Sequence, residues 1–191
     1  MRGYFGIGIL GVSKAYNVGN LFRTAHAFGA SFVYTVDAKY SLYKGNKTDT
    51  SKSTEHTPFY SFPSLDDMML PQGCQLVGVE LTEDAIELPS FRHPTKAAYL
   101  LGPERSSLSA ATLERCDHVI KIPMKFCINV GTAGALVMYD RVQSLGRFAD
   151  RPVRAGGPSE PLADPTFGGP IFRNGSPFED SPPEVPENWG E

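Results

Sequence analysis

Over the first 145 residues, short apolar runs alternate with stretches of helical character. Residues 4–10, 32–36, 75–80, 97–101 and 119–122 are near-continuously apolar and predict strands buried on both faces. Between them, residues 17–28 (closed by Gly29), 64–69, 109–116 and 129–145 predict helices. The first and last of these open on Asn, a residue suited to capping free N–H groups. Strand and helix signals in alternation predict an α/β fold, an open and mostly parallel sheet flanked by helices. Residues 37–57 break the pattern. Lys39, Lys44, Lys47 and Lys52 stand there among Ser, Thr, Gly and Asn, with Tyr40 and Tyr43, and predict a long loop of the kind that often carries function.

Composition changes the picture at the C-terminal end. Before position 146 there are 14 basic and 13 acidic residues, and after it 4 and 8. Residues 151–191 hold nine of the sixteen prolines and few aliphatic side chains, too little to offset the entropy of ordering. The expected organisation is a folded domain over 1–145 and an extended or disordered acidic tail over 146–191. The tail's Phe167, Ile171, Phe172, Phe178 and Trp189 are candidate anchors onto the core or a partner.

A net charge of −3 argues against charge-driven nucleic-acid binding of the histone kind, while allowing a local basic groove. No run of residues approaches the length of a membrane span, and the first twenty lack a signal-peptide layout, so a soluble cytoplasmic protein is expected. Cys74, Cys116 and Cys127 include no CxxC pair, which predicts reduced thiols and neither a disulfide framework nor a zinc site.

Gly6–Gly11, GIGILG, matches the GxGxxG dinucleotide pattern literally. Its context does not: the glycines lie inside the apolar strand, and Ser13, Lys14, Ala15 and Tyr16 separate them from the helix. A dinucleotide-dependent oxidoreductase, with nicotinamide or flavin, therefore stands behind a glycine-rich strand with close neighbours.

Three other segments each follow a strand. NVGNLFRTAHAFGA (17–30) sets Arg23 six residues after Asn17 on one helix. LLGPERSSLS (100–109) brings Gly102, Pro103 and Glu104 directly after a strand. IKIPMKFCINVGTAGALVMYD (120–140) places Asn129 before a helix that starts with small residues. Taken singly, the asparagines read as caps, and Arg23 and Glu104 as solvated charges. Strand C-termini of open α/β sheets are nevertheless where ligands collect.

Together the three segments, in this order, resemble the motifs of the SpoU (TrmH-like) RNA 2′-O-methyltransferases of the SPOUT superfamily, over roughly residues 4–145. The resemblance implies a fold with a deep C-terminal trefoil knot, a homodimer, and transfer of a methyl group from S-adenosyl-L-methionine to a ribose 2′-hydroxyl without a metal. The RNA expected is tRNA ahead of rRNA. By the same resemblance, backbone groups at Leu100, Gly102, Ile122, Met124, Cys127 and Ala133 are expected to hold the cofactor. Arg23, Asn17, Glu104 and Asn129 are expected to do the catalytic work. A guanidinium is a costly base at neutral pH, so Arg23 is assigned to clamping an RNA phosphate and stabilising developing alkoxide charge.

Many members carry Ser where this chain has Cys127, and a further Ser where it has Gly131. A thiol is a weak hydrogen-bond donor. That departure keeps open a catalytically silent RNA-binding scaffold. Lys14, Lys125 and the 39–52 lysines are candidate RNA contacts, since no separate N-terminal RNA-binding domain is evident. Tyr40 and Tyr43 are candidates for stacking on bases.

Overall fold

The computed structural model describes residues 3–39, 56–103, 106–152 and 155–157. The chain divides into two units, Met1–Phe148 and Ala149–Glu191. The few described residues of the second unit carry neither helix nor strand. In the first, β1 (Tyr4–Leu10), α1 (Ala15–Ala27), β2 (Phe32–Val36), β3 (Phe59–Phe62), β4 (Gln75–Val79) and β5 (Ile86–Glu87) precede a single 3-10 turn at Leu88–Ser90. They are followed by β6 (Lys96–Leu101), α2 (Ala110–Glu114), β7 (His118–Lys121) and α3 (Val130–Leu145). The strands form one sheet in the order β3-β2-β1-β6-β4-β7-β5, with every neighbouring pair parallel. This is the α/β architecture that the alternation predicts.

Side chains alternate across the sheet. Phe5, Ile7 and Ile9 of β1, Ala97, Tyr99 and Leu101 of β6, and Val77 of β4 pack with Val18, Leu21 and Phe22 of α1 and Val130, Val137 and Met138 of α3. Ala98 and Leu100 lie in a separate cluster with Phe32, Tyr34, Val36 and Leu76. Gly6 and Gly8 pair with Phe32 and Tyr34. A Cβ on either glycine would run into the ring of that partner. The GIGILG segment is thus a strand whose missing side chains make room for aromatic rings, and it offers no phosphate cradle. Of the three glycines in this segment, Gly11 alone, at φ +62°, uses glycine's left-handed freedom, in the turn that ends β1.

Three local expectations are corrected. Asn17 does not cap α1: Lys14 is the cap residue, without a side-chain bond, and Asn17 is buried inside the helix. Residues 64–69 form turns, with no helix. There Ser64 Oγ accepts from the N–H groups of Asp66 and Asp67 and donates to Asp67 Oδ2 at 2.6 Å, a local arrangement that competes with helix formation. The edge strands β3 and β5 were not anticipated. Most of the lysine- and tyrosine-bearing loop, residues 40–55, lies outside the described residues, while Lys39 meets Asp37 at 3.6 Å on the surface.

At the end of the sheet where β1 and β6 begin, the second half of α3 is pinned by a buried polar chain. Arg141, with no exposed surface, donates to the carbonyls of Pro94 (2.6 Å), Thr95 (3.0 Å) and Tyr4 (3.3 Å) and to Tyr99 Oη (3.1 Å). The Tyr99 hydroxyl, having accepted from Arg141, donates to His93 Nδ1 at 2.5 Å. His93 Nε2 then donates to Asp140 Oδ2 at 2.9 Å. Burial pushes the His93 imidazole below its ordinary value and the Tyr99 hydroxyl up to about 12.

Candidate active site

The strand order switches between β1 and β6, since β2 and β3 lie on one side of β1 and the later strands on the other. A crevice at the C-terminal strand ends is expected beside such a switch. A cavity of about 610 Å³ is found there, within the size range of small-molecule sites. Its wall combines Lys14 and Asn17 after β1, Val79 to Leu81 at the end of β4, and Leu101 to Pro103 with Ser106 and Ser107 after β6. Ile122, Met124, Cys127, Ile128, Asn129, Val130 and Ala133 complete it from β7 into α3.

Asn129 is the cap of α3, its Oδ1 accepting from Gly131 N–H at 2.8 Å. Its Nδ2 donates to Asn17 Oδ1 at 3.1 Å. The two asparagines, one from each end of the domain, therefore meet on the cavity wall. The small residues of α3 divide between two tasks. Gly134 clears Leu21, whose Cδ1 a Cβ would strike, and at Gly131 a Cβ would lie 2.8 Å from Asn20 Nδ2. Ala133 faces the cavity.

Of the residues expected to hold a cofactor, Gly102, Ile122, Met124, Cys127 and Ala133 line the cavity, together with Asn17 and Asn129. Leu100 does not: it is fully buried in the cluster of Phe32 and Tyr34, while Leu101 lines the wall. The reason is strand parity, because Leu101 packs with the α1 and α3 residues and Leu100 with the other cluster. Arg23 is exposed on α1 and is not part of the wall. Lys14 lines the cavity, Lys125 does not, and Glu104 lies outside the described residues.

Glu80, Ser106 and Ser107 escaped the sequence reading. Glu80 Oε2 accepts from Leu108 N–H at 2.6 Å and Oε1 from Leu81 N–H at 2.9 Å. A carboxylate closing an otherwise apolar strand was the available signal. Among the described residues no group of three or more His, Cys, Asp or Glu side chains is placed to hold a metal ion.

The profile of the SpoU rRNA Methylase family matches residues 5–139, which takes in the described strands except Tyr4 of β1, and the cavity wall. This chain belongs to that family. Among SpoU relatives, it is 33% identical over 146 residues to the tRNA (guanosine(18)-2′-O)-methyltransferase TARBP1 of Mus musculus, covering 71% of this chain and 9% of that protein. It is 26% identical over 138 residues to the tRNA (guanosine(18)-2′-O)-methyltransferase of Escherichia coli K12, covering 68% of this chain and 58% of the relative. In fold it is similar to the SpoU methyltransferase AviRb from Streptomyces viridochromogenes, solved in complex with the cofactor AdoMet. That match has a TM-score of 0.67 at 22% identity, over 75% of this chain and 61% of AviRb. The chain thus spans little more than half the length of the bacterial SpoU relative, and a small part of the mouse protein.

Proposed function

We propose that this chain is an S-adenosyl-L-methionine-dependent RNA methyltransferase that modifies a ribose 2′-hydroxyl, acting on tRNA ahead of rRNA. The observation that carries this reading is the convergence of all three sequence motifs on one cavity, with Asn17 and Asn129 bonded to each other in its wall. The relatives named for 2′-O-methylation of guanosine in tRNA support the choice of RNA and of hydroxyl.

The cavity fits the cofactor's chemistry. Val79, Leu101, Ile122 and Met124 offer apolar walls to an adenine, Gly102 lets backbone approach closely, and Glu80 and the serines supply polar contacts. When bound, the cofactor supplies a methyl carbon made electrophilic by an adjoining sulfonium. The chain's own residues must then align a ribose hydroxyl with it. Asn129, held by its bonds to Gly131 and Asn17, presents a rigid amide to the nucleotide. Arg23, exposed on α1, clamps the neighbouring phosphate and offsets the charge that develops on the hydroxyl oxygen, whose proton passes to phosphate or solvent. Glu104 completes the catalytic set in the same reading, through its place in the second motif.

The catalytic part is residues 1–145, followed by an acidic, Pro- and Gly-rich tail over 146–191. The enzyme acts in the cytoplasm as a homodimer with a knotted C-terminal region. Leu136 and Tyr139, exposed on α3, and Tyr16, exposed on α1, support a dimer face. Among the described residues no helix is long and apolar enough to cross a membrane.

The test is transfer itself. Purified protein, labelled S-adenosylmethionine and total RNA from a strain lacking the gene should yield labelled RNA. Cofactor binding with no label in any RNA fraction would instead favour a silent scaffold.

A further inference from the structure

The wall of the cavity contains one carboxylate and one cation among its described residues, Glu80 and Lys14. Lys14 and Asn17 follow β1, whereas Glu80 follows β4, and β6 lies between the two strands. Strands β1 and β4 are thus two spacings apart, about 10 Å. Asn17 and Asn129 are bonded to each other in the wall, whereas Glu80 enters it from the end of β4.

Glu80 is fixed in place. Its N–H donates to Ile120 O at 2.9 Å, and each carboxylate oxygen holds one backbone N–H, from Leu81 and Leu108. A Cβ at Gly102 would lie 3.2 Å from Oε2, so the glycine keeps the approach to the carboxylate open. Each oxygen retains a lone-pair direction beyond the backbone bond it already accepts, and an ionised carboxylate can only accept. The complementary ligand group is a pair of adjacent donors, which is the chemistry of a vicinal diol.

We infer that Glu80 recognises the ribose of the methyl donor by accepting hydrogen bonds from its 2′- and 3′-hydroxyls. The inference rests on the reading of this cavity as the S-adenosylmethionine site, and it adds a side-chain determinant to a site otherwise expected to rely on backbone groups. The same carboxylate ties the 106–108 segment to the end of β4, so ribose binding and the placement of that loop share one group.

The experiment is calorimetric titration of the wild-type chain, Glu80→Gln and Glu80→Asp with S-adenosylhomocysteine and with its 2′-deoxy and 3′-deoxy analogues. For the wild type, loss of a hydroxyl should weaken binding about tenfold, as expected for a hydrogen bond to a charged group. Glu80→Gln should weaken S-adenosylhomocysteine to a similar degree and bind the deoxy analogues with little further loss, because the interaction is already gone. Glu80→Asp, which withdraws the carboxylate by one methylene and keeps its charge, should show the same coupling if the glutamine variant fails to fold.

Equal weakening of all ligands would overturn the inference and leave Glu80 as a loop clamp. A loss seen with S-adenosylmethionine and absent with S-adenosylhomocysteine would overturn it in favour of a charge facing the sulfonium. Failure of the wild type to bind any of these ligands would remove the cofactor reading itself, and the inference with it.

Discussion

Asn129 donates from Nδ2 to Oδ1 of Asn17 at 3.1 Å, joining positions 112 residues apart in the chain. The same Asn129 side chain accepts from Gly131 N–H and so starts α3. One amide therefore fixes both the helix and the cavity wall, and its two tasks are separable by substitution. Asn129→Ala should lose about 1 kcal/mol of stability through the lost cap, together with nearly all methyl transfer. Asn129→Ser should recover the stability, since serine caps well, without recovering transfer. Urea unfolding beside a transfer assay checks both, and full activity in the serine variant would reduce Asn129 to a cap.

The packing of α3 on α1 sets a second expectation. A methyl group at Gly134 would meet Leu21, so Gly134→Ala should destabilise the domain by about 1–3 kcal/mol. A shift in the urea midpoint at unchanged slope is the expected signature.

Much of this arrangement was legible in the chain, and the exceptions have physical causes. The apolar runs of β1 and β2 end where the strands end, because a parallel strand buried on both faces has little choice of residue. The exposed edge strands carry no such signature, as Tyr60 in β3 and Ile86 in β5 show. Asn17 stood at a plausible cap position, yet it lies inside α1 and bonds to Asn129 near the other end of the domain, a partner that no local pattern records. At Leu100 and Leu101 the motif gives the segment and not the face: the Leu101 side chain packs with the α1 and α3 residues and that of Leu100 with Phe32 and Tyr34. Ser64 satisfies two N–H groups with its own hydroxyl and so turns the chain where a helix was expected.

The buried chain from Arg141 to Asp140 ties α3 to the opposite end of the sheet. Arg141→Met should cost about 3 kcal/mol or more, because the carbonyls of Pro94, Thr95 and Tyr4 and the Tyr99 hydroxyl each lose the Arg141 bond, while Thr95 O keeps its bond from Tyr4 N–H. Urea unfolding gives the figure directly, and a loss below about 1 kcal/mol would contradict it.

His93 makes that end sensitive to acid. Its folded imidazole titrates below the ordinary 6.5, so the unfolded chain takes up the proton first as pH falls. The contribution is fully present above 6.5 and is lost as pH drops below it. Unfolding free energy measured against pH should decline through that window in the wild type, and the decline should be smaller in His93→Gln.

Cys127 reports on the cavity. It is exposed in the wall, whereas Cys74 and Cys116 are partly buried, and burial raises the Cys116 thiol to about 11. Since the thiolate is the nucleophile, maleimide at neutral pH should label Cys127 first. Saturating S-adenosylhomocysteine should slow that labelling, as followed by mass spectrometry, and leave Cys74 and Cys116 unchanged. Identical Cys127 rates with and without the ligand would place the ligand elsewhere.

The central claim is that the methyl group goes to a ribose 2′-oxygen, and alkali tests it most directly. Hydrolysis of RNA in base proceeds by attack of the 2′-oxygen on the adjacent phosphate, so a methylated 2′-oxygen protects the following bond. RNA labelled by this protein and hydrolysed to completion should carry its label in dinucleotides that resist alkali. Label recovered in mononucleotides would place the methyl group on a base and contradict the account.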